Sequence, residues 1–167
     1  NAQAQSAIEF NSAGNSSAPA AGQNVTSLAV TMLNNSDNPT GTTFGPVTPA
    51  PVPTVTFNLL NQQYSLPTSI SSTGTGVFIG SPSTTVPNTH FAALSSVGTP
   101  ANANFTSLPS NAAGTGINTT TNFGVRLTTS AHALFLAGAP LNGRIQMADL
   151  DIDFGAPVTN PVLHFSG

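Results

Sequence analysis

Apolar residues recur at every second position along much of the chain, and clusters of turn-forming residues separate these runs. The alternation is found in residues 28–32, in residues 55–59 and, over a longer stretch, from Ile117 to Leu127. A period of two places the apolar side chains on one face of a β-strand, so each run predicts a strand. Gly76–Gly80 is apolar throughout and predicts a short, buried strand. Many short strands joined by turns are typical of an all-β fold, and we predict an antiparallel β-sandwich of jelly-roll or lectin-like type.

Several other segments have weaker patterns. We expect strands at Ala7–Phe10, Gln62–Leu66, Phe105–Leu108 and Val158–Phe165, an edge or surface segment at the proline-rich Phe44–Pro53, a short helix or packed loop at Thr89–Val97, and a helical turn or a strand at Ala131–Ala137. The parity of the stronger runs predicts a core that contains Phe57, Phe78, Phe123, Val125, Leu150, Ile152 and Phe154.

Three aspartates alternate with apolar residues in the last part of the sequence. Asp149, Asp151 and Asp153 fall on one face of a predicted strand, at a spacing of roughly 6.5–7 Å. Carboxylates so placed repel one another and favour a cation or an arginine between them. Calcium, which takes oxygen ligands, is the cofactor we expect there. The alternative is a solvated strand face that discourages edge pairing. An EF-hand is excluded, because its required glycine and its final glutamate are replaced by Phe154 and Asn160.

Composition restricts the partners of the chain. Only 4% of the 167 residues are charged, against roughly 25% in ordinary proteins, and the net charge is −3. Electrostatic binding to nucleic acid or to anionic lipid is therefore not expected. There is no cysteine and no apolar run of the ~20 residues that span a bilayer, so we expect neither disulfides nor membrane insertion.

The compartment is predicted from the same features. The start, Asn1–Gln5, is similar to the residues that follow a signal-peptidase site. We expect an extracellular protein of the cell surface or matrix. It would form one domain, residues 1–167, with a flexible strand and loop at residues 1–24.

Residues suited to catalysis are few. Glu9 is the only glutamate, the sequence contains no Gly-x-Ser-x-Gly elbow, and histidines are more often structural than catalytic. We therefore expect no enzyme. Arg126 and Arg144 are the only cations, suited to pairing with an acid or to holding a sugar carboxylate. One tyrosine and no tryptophan leave little aromatic surface for a typical carbohydrate site.

The last third of the chain is similar to one known kind of protein. GTGIN (Gly114–Asn118), NFGVRL (Asn122–Leu127) and DLDIDFGAPVTNPVLHFSG (Asp149–Gly167) resemble the lectin-like, non-repetitive N-terminal domain of large bacterial surface adhesins of the CshA type. The resemblance implies a secreted β-sandwich that presents a binding surface for host glycoprotein or carbohydrate. It also implies further strand sequence beyond HFSG, so that this chain is a fragment or takes a strand from elsewhere.

A weakly charged sheet edge predicts an interaction between copies. Sheet edges are normally protected by charge or proline, and this chain has little charge. We expect the apolar strand Ala7–Phe10 to be added to the sheet of a neighbouring copy, with Ile8 and Phe10 as anchors. Head-to-tail addition would give a homo-polymer, which predicts a structural or adhesive fibre protein. The alternatives are a monomer that keeps this strand in its own sheet, and a module that binds carbohydrate or glycoprotein.

Overall fold

The computed structural model describes residues 8–10, 21–22, 24–35, 43–46, 54–64, 76–81, 88–106, 110–129, 134–135, 138–139, 142–158 and 161–167. The strands within these ranges are β1 (Ile8–Phe10), β2 (Ala21–Gly22), β3 (Ser27–Asn35), β4 (Phe44–Gly45), β5 (Thr54–Leu60), β6 (Val77–Ile79), β7 (Asn88–Thr89), β8 (Phe91–Ala93), β9 (Phe123–Val125), β10 (Leu127–Thr129) and β11 (Asp149–Asp153). Two 3₁₀ turns, Leu94–Ser96 and Asn102–Asn104, follow β8. All pairings between these strands are antiparallel, which confirms the prediction of an all-β protein.

The largest sheet has the strand order β1-β3-β5-β11, with β4 paired to the end of β3. Residues 27–31 of β3 lie opposite residues 54–58 of β5, and β11 pairs with β5 along its whole length. β1 pairs with the other edge of β3, where Phe10 lies opposite Met32. Among the described strands, β1 and β11 therefore form the two outer edges of this sheet.

Smaller strand pairs adjoin the largest sheet. β6 pairs with β10, β8 with β9 and β2 with β7. Ile79 in β6 exchanges two backbone hydrogen bonds with Val25, which precedes β3. Arg126 donates its backbone N–H to the His90 carbonyl and accepts the N–H of Gly80. The backbone of this one residue, between β9 and β10, thus connects the β8 pair to the β6 pair.

The main core combines residues of the largest sheet with residues of β6, β8 and β9. The alternating apolar positions of β3 and β5 are buried together with Val77, Ile79 and Phe91. The residues predicted for the core are in place: Phe57 and Phe78 are buried, and Phe123, Val125, Leu150, Ile152 and Phe154 pack against the main cluster in partly buried positions. The period-two pattern therefore identified the faces of these strands that carry the fold.

The single long strand predicted from Ile117 to Leu127 is wrong. Strand pairing is confined to β9 and β10, and the preceding residues form a turn in which the Asn122 N–H donates to the Asn118 carbonyl. Asn122 Oδ1 accepts the Asn118 N–H at 2.6 Å, and Asn118 Oδ1 accepts the N–H of Thr120. Side chains that bond nearby backbone groups compete with a strand ladder, so the alternation of residue types produced no strand here.

Other weakly patterned segments also differ from expectation. Gln62–Tyr64 do not pair with β5 as a strand, because the chain turns at Asn61, whose φ is 52°, and the Gln62 amide bonds the backbone of Val77. Phe105 and Thr106 follow a 3₁₀ turn instead of forming a strand. Residues 161–167 form no strand with any other described residue, so the strand predicted at Val158–Phe165 is not found in this part of it.

Two ambiguous segments are resolved. Thr89–Val97 contains the end of β7, the strand β8 and a 3₁₀ turn, so neither a helix nor a wholly irregular loop is correct. Leu134 and Phe135 are helical, in accord with the helical turn expected at Ala131–Ala137. Within the described part of the chain, no helix has the length and apolar character needed to cross a membrane.

Some expectations fall outside the described residues. These are the remaining parts of the predicted segments at Ala7, 47–53, 65–66, 107–108, 131–133, 136–137 and 159–160, and most of the flexible segment expected at 1–24.

The missing side chain of one glycine, Gly80, permits the close approach of the Asn24–Val25 segment to β6. Gly80 has a φ of +135°, and a Cβ at this position would lie 1.9 Å from Asn24 Oδ1. Asn24 is buried and its amide donates to the Ser81 carbonyl at 3.0 Å, so it cannot move away freely. We predict that Gly80→Ala lowers the free energy of unfolding by roughly 2–4 kcal/mol, through backbone strain and overpacking.

Chemical denaturation of the variant beside the wild type measures this difference. Gly45→Ala is the matched control, because a Cβ at Gly45 would have no atom within 4 Å. Equal midpoints for Gly80→Ala and Gly45→Ala would contradict the prediction.

Candidate functional site

The outer face of the largest sheet is polar, and β11 supplies its carboxylates. Asp149, Asp151 and Asp153 are exposed, whereas Leu150 and Ile152 between them pack against the core. The structure therefore places the three predicted site residues on one strand face, as their spacing requires. Because β11 is an outer strand, these carboxylates also lie along a sheet edge.

One row of side chains crosses three strands on this face. Ser27, Asn58 and Asp151 are opposite one another in β3, β5 and β11. The Ser27 hydroxyl donates to Asn58 Oδ1 at 2.7 Å, and Asn58 Nδ2 donates to Asp151 Oδ2 at 3.2 Å. The amide of Asn58 thus orients the carboxylate of Asp151. The row presents a hydroxyl, an amide and a carboxylate, separated by the distance between adjacent strands.

The other two aspartates have separate partners. Asp149 accepts hydrogen bonds from Asn61 Nδ2 and from Gln146 Nε2, both at 2.7 Å. Asp153 Oδ1 accepts the N–H of Gly155 at 2.8 Å, which stabilises the turn that ends β11. Each carboxylate thus bonds nitrogen donors, and sequence reasoning had not identified these amides.

A calcium site on this face remains a prediction. Among the described residues, no group of three or more His, Asp or Glu side chains is placed to hold a metal ion. A calcium ion here would be bound by carboxylate oxygens of β11 together with amide or backbone oxygens of a neighbouring loop.

Chelation tests the calcium prediction directly. We expect a chelator to lower the melting temperature by several degrees if calcium stabilises the folded chain, because a ligand of the native state raises its stability. Asp151→Asn should then remove the sensitivity to chelator, while preserving the size of the side chain. A melting curve that is identical with and without chelator would leave the aspartates as a solvated strand face.

A second candidate site is the groove along β3 that β1 fills. We call it the β1 groove and define it by the side chains that contact β1. The ring of Phe10 lies edge-on to Phe57, with centroids 5.5 Å apart, and 6.3 Å from the ring of Phe91. The structure therefore places one predicted anchor, Phe10, in the core of its own chain. The backbone of Ile8, the other anchor, pairs with Asn34; its side chain is outside the described part of the structure.

The carboxylate of Glu9 is held on the opposite side of β1. Glu9 Oε1 accepts a hydrogen bond from Asn35 Nδ2 at 2.6 Å, and Oε2 accepts one from Asn122 Nδ2 at 2.8 Å. Both asparagines are 3% exposed. Sequence analysis missed this group. Its one visible signal was a lone glutamate between two apolar residues of a short strand.

The C-terminal segment packs beside the 3₁₀ turns. His164 contacts the ring of Phe105 edge-on, with centroids 5.3 Å apart, and burial lowers the pKa of its imidazole below the ordinary value. Ser166 donates its hydroxyl to the Val97 carbonyl at 2.6 Å. Leu163 and Phe165 are directed outward and are exposed. His164 thus takes part in packing, which agrees with a structural histidine.

Comparison with known protein families, with curated proteins and with solved structures finds no match. The physical basis for a function is the geometry of the two candidate sites. One is a polar sheet face with three carboxylates, and the other is a groove that holds a three-residue edge strand through its side chains.

Proposed function

We propose that this chain is a structural or adhesive domain of an extracellular fibre or cell surface, and that copies join by exchange of β1. The observation that supports the proposal is the way β1 is held. It pairs with β3 over only three residues, yet Phe10 reaches the core and Glu9 bonds two buried amides. A strand fixed mainly by side chains can be replaced by an identical strand from another copy.

The geometry of exchange favours a chain of copies. The donor strand and the β1 groove are different surfaces, so each copy can give a strand to one neighbour and receive one from another. Such heterologous contacts extend into fibres when the rotation between copies does not close a ring. A closed monomer and an exchanged polymer contain the same β1 contacts, so a higher protein concentration favours the polymer.

The opposite edge of the sheet is poorly suited to self-association. If two copies paired through β11, each would bring Asp149, Asp151 and Asp153 to the new interface. Like charges on adjacent strands disfavour pairing, and charged edges are a common protection against it. Growth through β1 is therefore the favoured route, and β11 acts as a closed edge.

The finer architecture and the location belong to the same proposal. We infer a β-sandwich of jelly-roll or lectin-like type, supported by a core to which the largest sheet and the smaller strand pairs both contribute. The scarcity of charge and the resemblance of the last third of the chain to CshA-type adhesins support an extracellular location. The chain is proposed to act without catalysis.

Disulfide trapping tests strand exchange. Ile8 and Asn34 are opposite each other in the β1–β3 register, and opposite residues of antiparallel strands lie within disulfide range. We predict that the double variant Ile8→Cys/Asn34→Cys, oxidised after assembly, gives a ladder of covalent multimers on a non-reducing gel. The ladder should disappear on reduction.

The natural chain has no cysteine, so any bond in this variant reports the engineered pair. Oxidation of dilute protein is the matched control and should give a cross-linked monomer. Each single cysteine variant should yield no more than dimers. A cross-linked monomer at every concentration would contradict exchange and leave β1 in its own sheet.

A second candidate function is binding of carbohydrate or glycoprotein on the polar face. The in-register row of Ser27, Asn58 and Asp151 favours it, because amide and carboxylate groups on a rigid sheet can bond sugar hydroxyls. We predict that any glycan bound in an array is lost in Asn58→Ala and in Asp151→Ala and is retained in Asn104→Ala, at an exposed position outside this row. Loss in all three variants, or in none, would place the ligand elsewhere.

A further inference from the structure

We propose that Glu9 selects the strand that enters the β1 groove, and that the partner that meets this selection is β1 of a second copy. The groove would accept an extended strand with a carboxylate between two apolar residues. This inference rests on the proposed function for its partner. The other half of the inference, that Glu9 and the two amides determine which strand fits, is supported by contacts within one chain. We call Glu9 with Asn35 and Asn122 the Glu9 clamp.

The two amides of the clamp come from separate parts of the chain. Asn35 is the last residue of β3, and Asn122 immediately precedes β9. The orientation of Asn122 is fixed, because its Oδ1 accepts the Asn118 N–H at 2.6 Å and its Nδ2 then faces Glu9 at 2.8 Å. The clamp therefore presents two N–H donors, from two separate elements, to a single carboxylate.

A groove with this lining discriminates between strands. Both asparagines are 3% exposed, so a strand without an acceptor would remove a hydrogen bond from each of two buried amides. A carboxylate offers an oxygen to each donor, whereas a glutamine offers one acceptor and places a second donor against the other amide. Glu9 is the only glutamate of the chain, so no other glutamate can meet the requirement.

The clamp also fixes the register of the strand. A shift by one residue would turn Glu9 toward the core side, where Phe10 now contacts Phe57 and Phe91, and would bring an apolar residue to the two amides. The slipped strand would bury a carboxylate among aromatic rings and would remove the hydrogen bond that each amide donates to Glu9. These two penalties act together, so a three-residue strand can have a defined register.

Mutation can reverse the donor and acceptor roles of residue 9 in the strand and residue 122 in the groove. In Glu9→Gln the new amide faces the Asn122 amide, donor against donor. In Asn122→Asp the new carboxylate faces Glu9, anion against anion, but it can still accept the Asn118 N–H and so preserve the turn. The double variant restores a donor–acceptor pair with the two roles reversed.

The first measurement is unfolding of the separate variants. We expect each single substitution to raise the unfolding equilibrium constant roughly ten- to a hundredfold, as loss of a hydrogen bond to a charged group does. The double variant Glu9→Gln/Asn122→Asp should return close to the wild-type value. If both single variants unfold like the wild type, the clamp selects no strand and the inference is wrong.

The second measurement is assembly after mixing the two single variants. In either closed monomer the clamp is mismatched. When each variant gives its strand to the other, every clamp is matched: the introduced glutamine faces the introduced aspartate in one groove, and Glu9 faces Asn122 in the next. We expect the mixture to form dimers or longer species that contain the two variants in equal amounts. These species should form at a protein concentration roughly ten- to a hundredfold lower than either variant needs alone.

Sedimentation velocity and native mass spectrometry measure the size and the ratio of the mixed species. The control pair is Asn104→Lys and Arg144→Gln, both at exposed positions away from the clamp, which give net charges of −3 + 1 = −2 and −3 − 1 = −4. These match the charges of the two test variants. Equal co-assembly of the control pair would assign the effect to net charge and overturn the inference.

The remaining outcomes separate the two proposals. If the single variants are destabilised and the double variant is restored, but no mixed species form, the clamp acts only within one chain and strand exchange is overturned. If the cysteine variant gives a disulfide ladder but Glu9→Gln and Asn122→Asp show no preference for each other, strand exchange is supported and selection by Glu9 is overturned.

Discussion

Packing of β3 and β5 against β6 and β8 is the interaction on which the rest of the structure depends. Val30 and Ile79 are fully buried in this cluster. In a chain with 4% charged residues, burial of apolar area supplies the main favourable free energy, at roughly 25 cal/mol per Å². Both candidate sites are carried by outer strands anchored in this core, β1 through Phe10 and β11 through Leu150 and Ile152. Each site is thus held in place by the opposite face of its own strand.

Amide side chains make many of the connections that ion pairs make in more highly charged proteins. Gln62 ties the end of β5 to the backbone of Val77, and Asn102 Oδ1 accepts both the N–H and the hydroxyl of Thr119. An amide has a donor and an acceptor but no net charge, so it can be buried without the desolvation cost of an ion. A buried amide also has a direction. Where its NH₂ group faces a groove, as in Asn122, the groove requires an acceptor.

The sequence predicted the strands whose residue alternation met no local competition. β3, β5 and β11 are of this kind, and so are the exposed aspartates of β11, whereas β6 was predicted from an unbroken apolar run. It failed between Ile117 and Asn122, because asparagine side chains capture the backbone there. The Glu9 clamp had no local pattern, since Glu9 lies 26 residues from Asn35 and 113 from Asn122. Contacts of this range are set by the topology of the sheet, which residue periodicity does not specify.

The two outer edges of the sheet differ in a way that would give the proposed assembly a direction. β11 presents three carboxylates that repel a second β11, while β1 occupies a groove whose contacts any identical strand can reproduce. A net charge of −3 produces only weak long-range repulsion between copies, so charge alone does little to keep them apart. In the proposed assembly, specificity would then come from short-range groups. The aromatic contact of Phe10 favours any apolar strand, and the two amides that face Glu9 favour a strand with a carboxylate at this position.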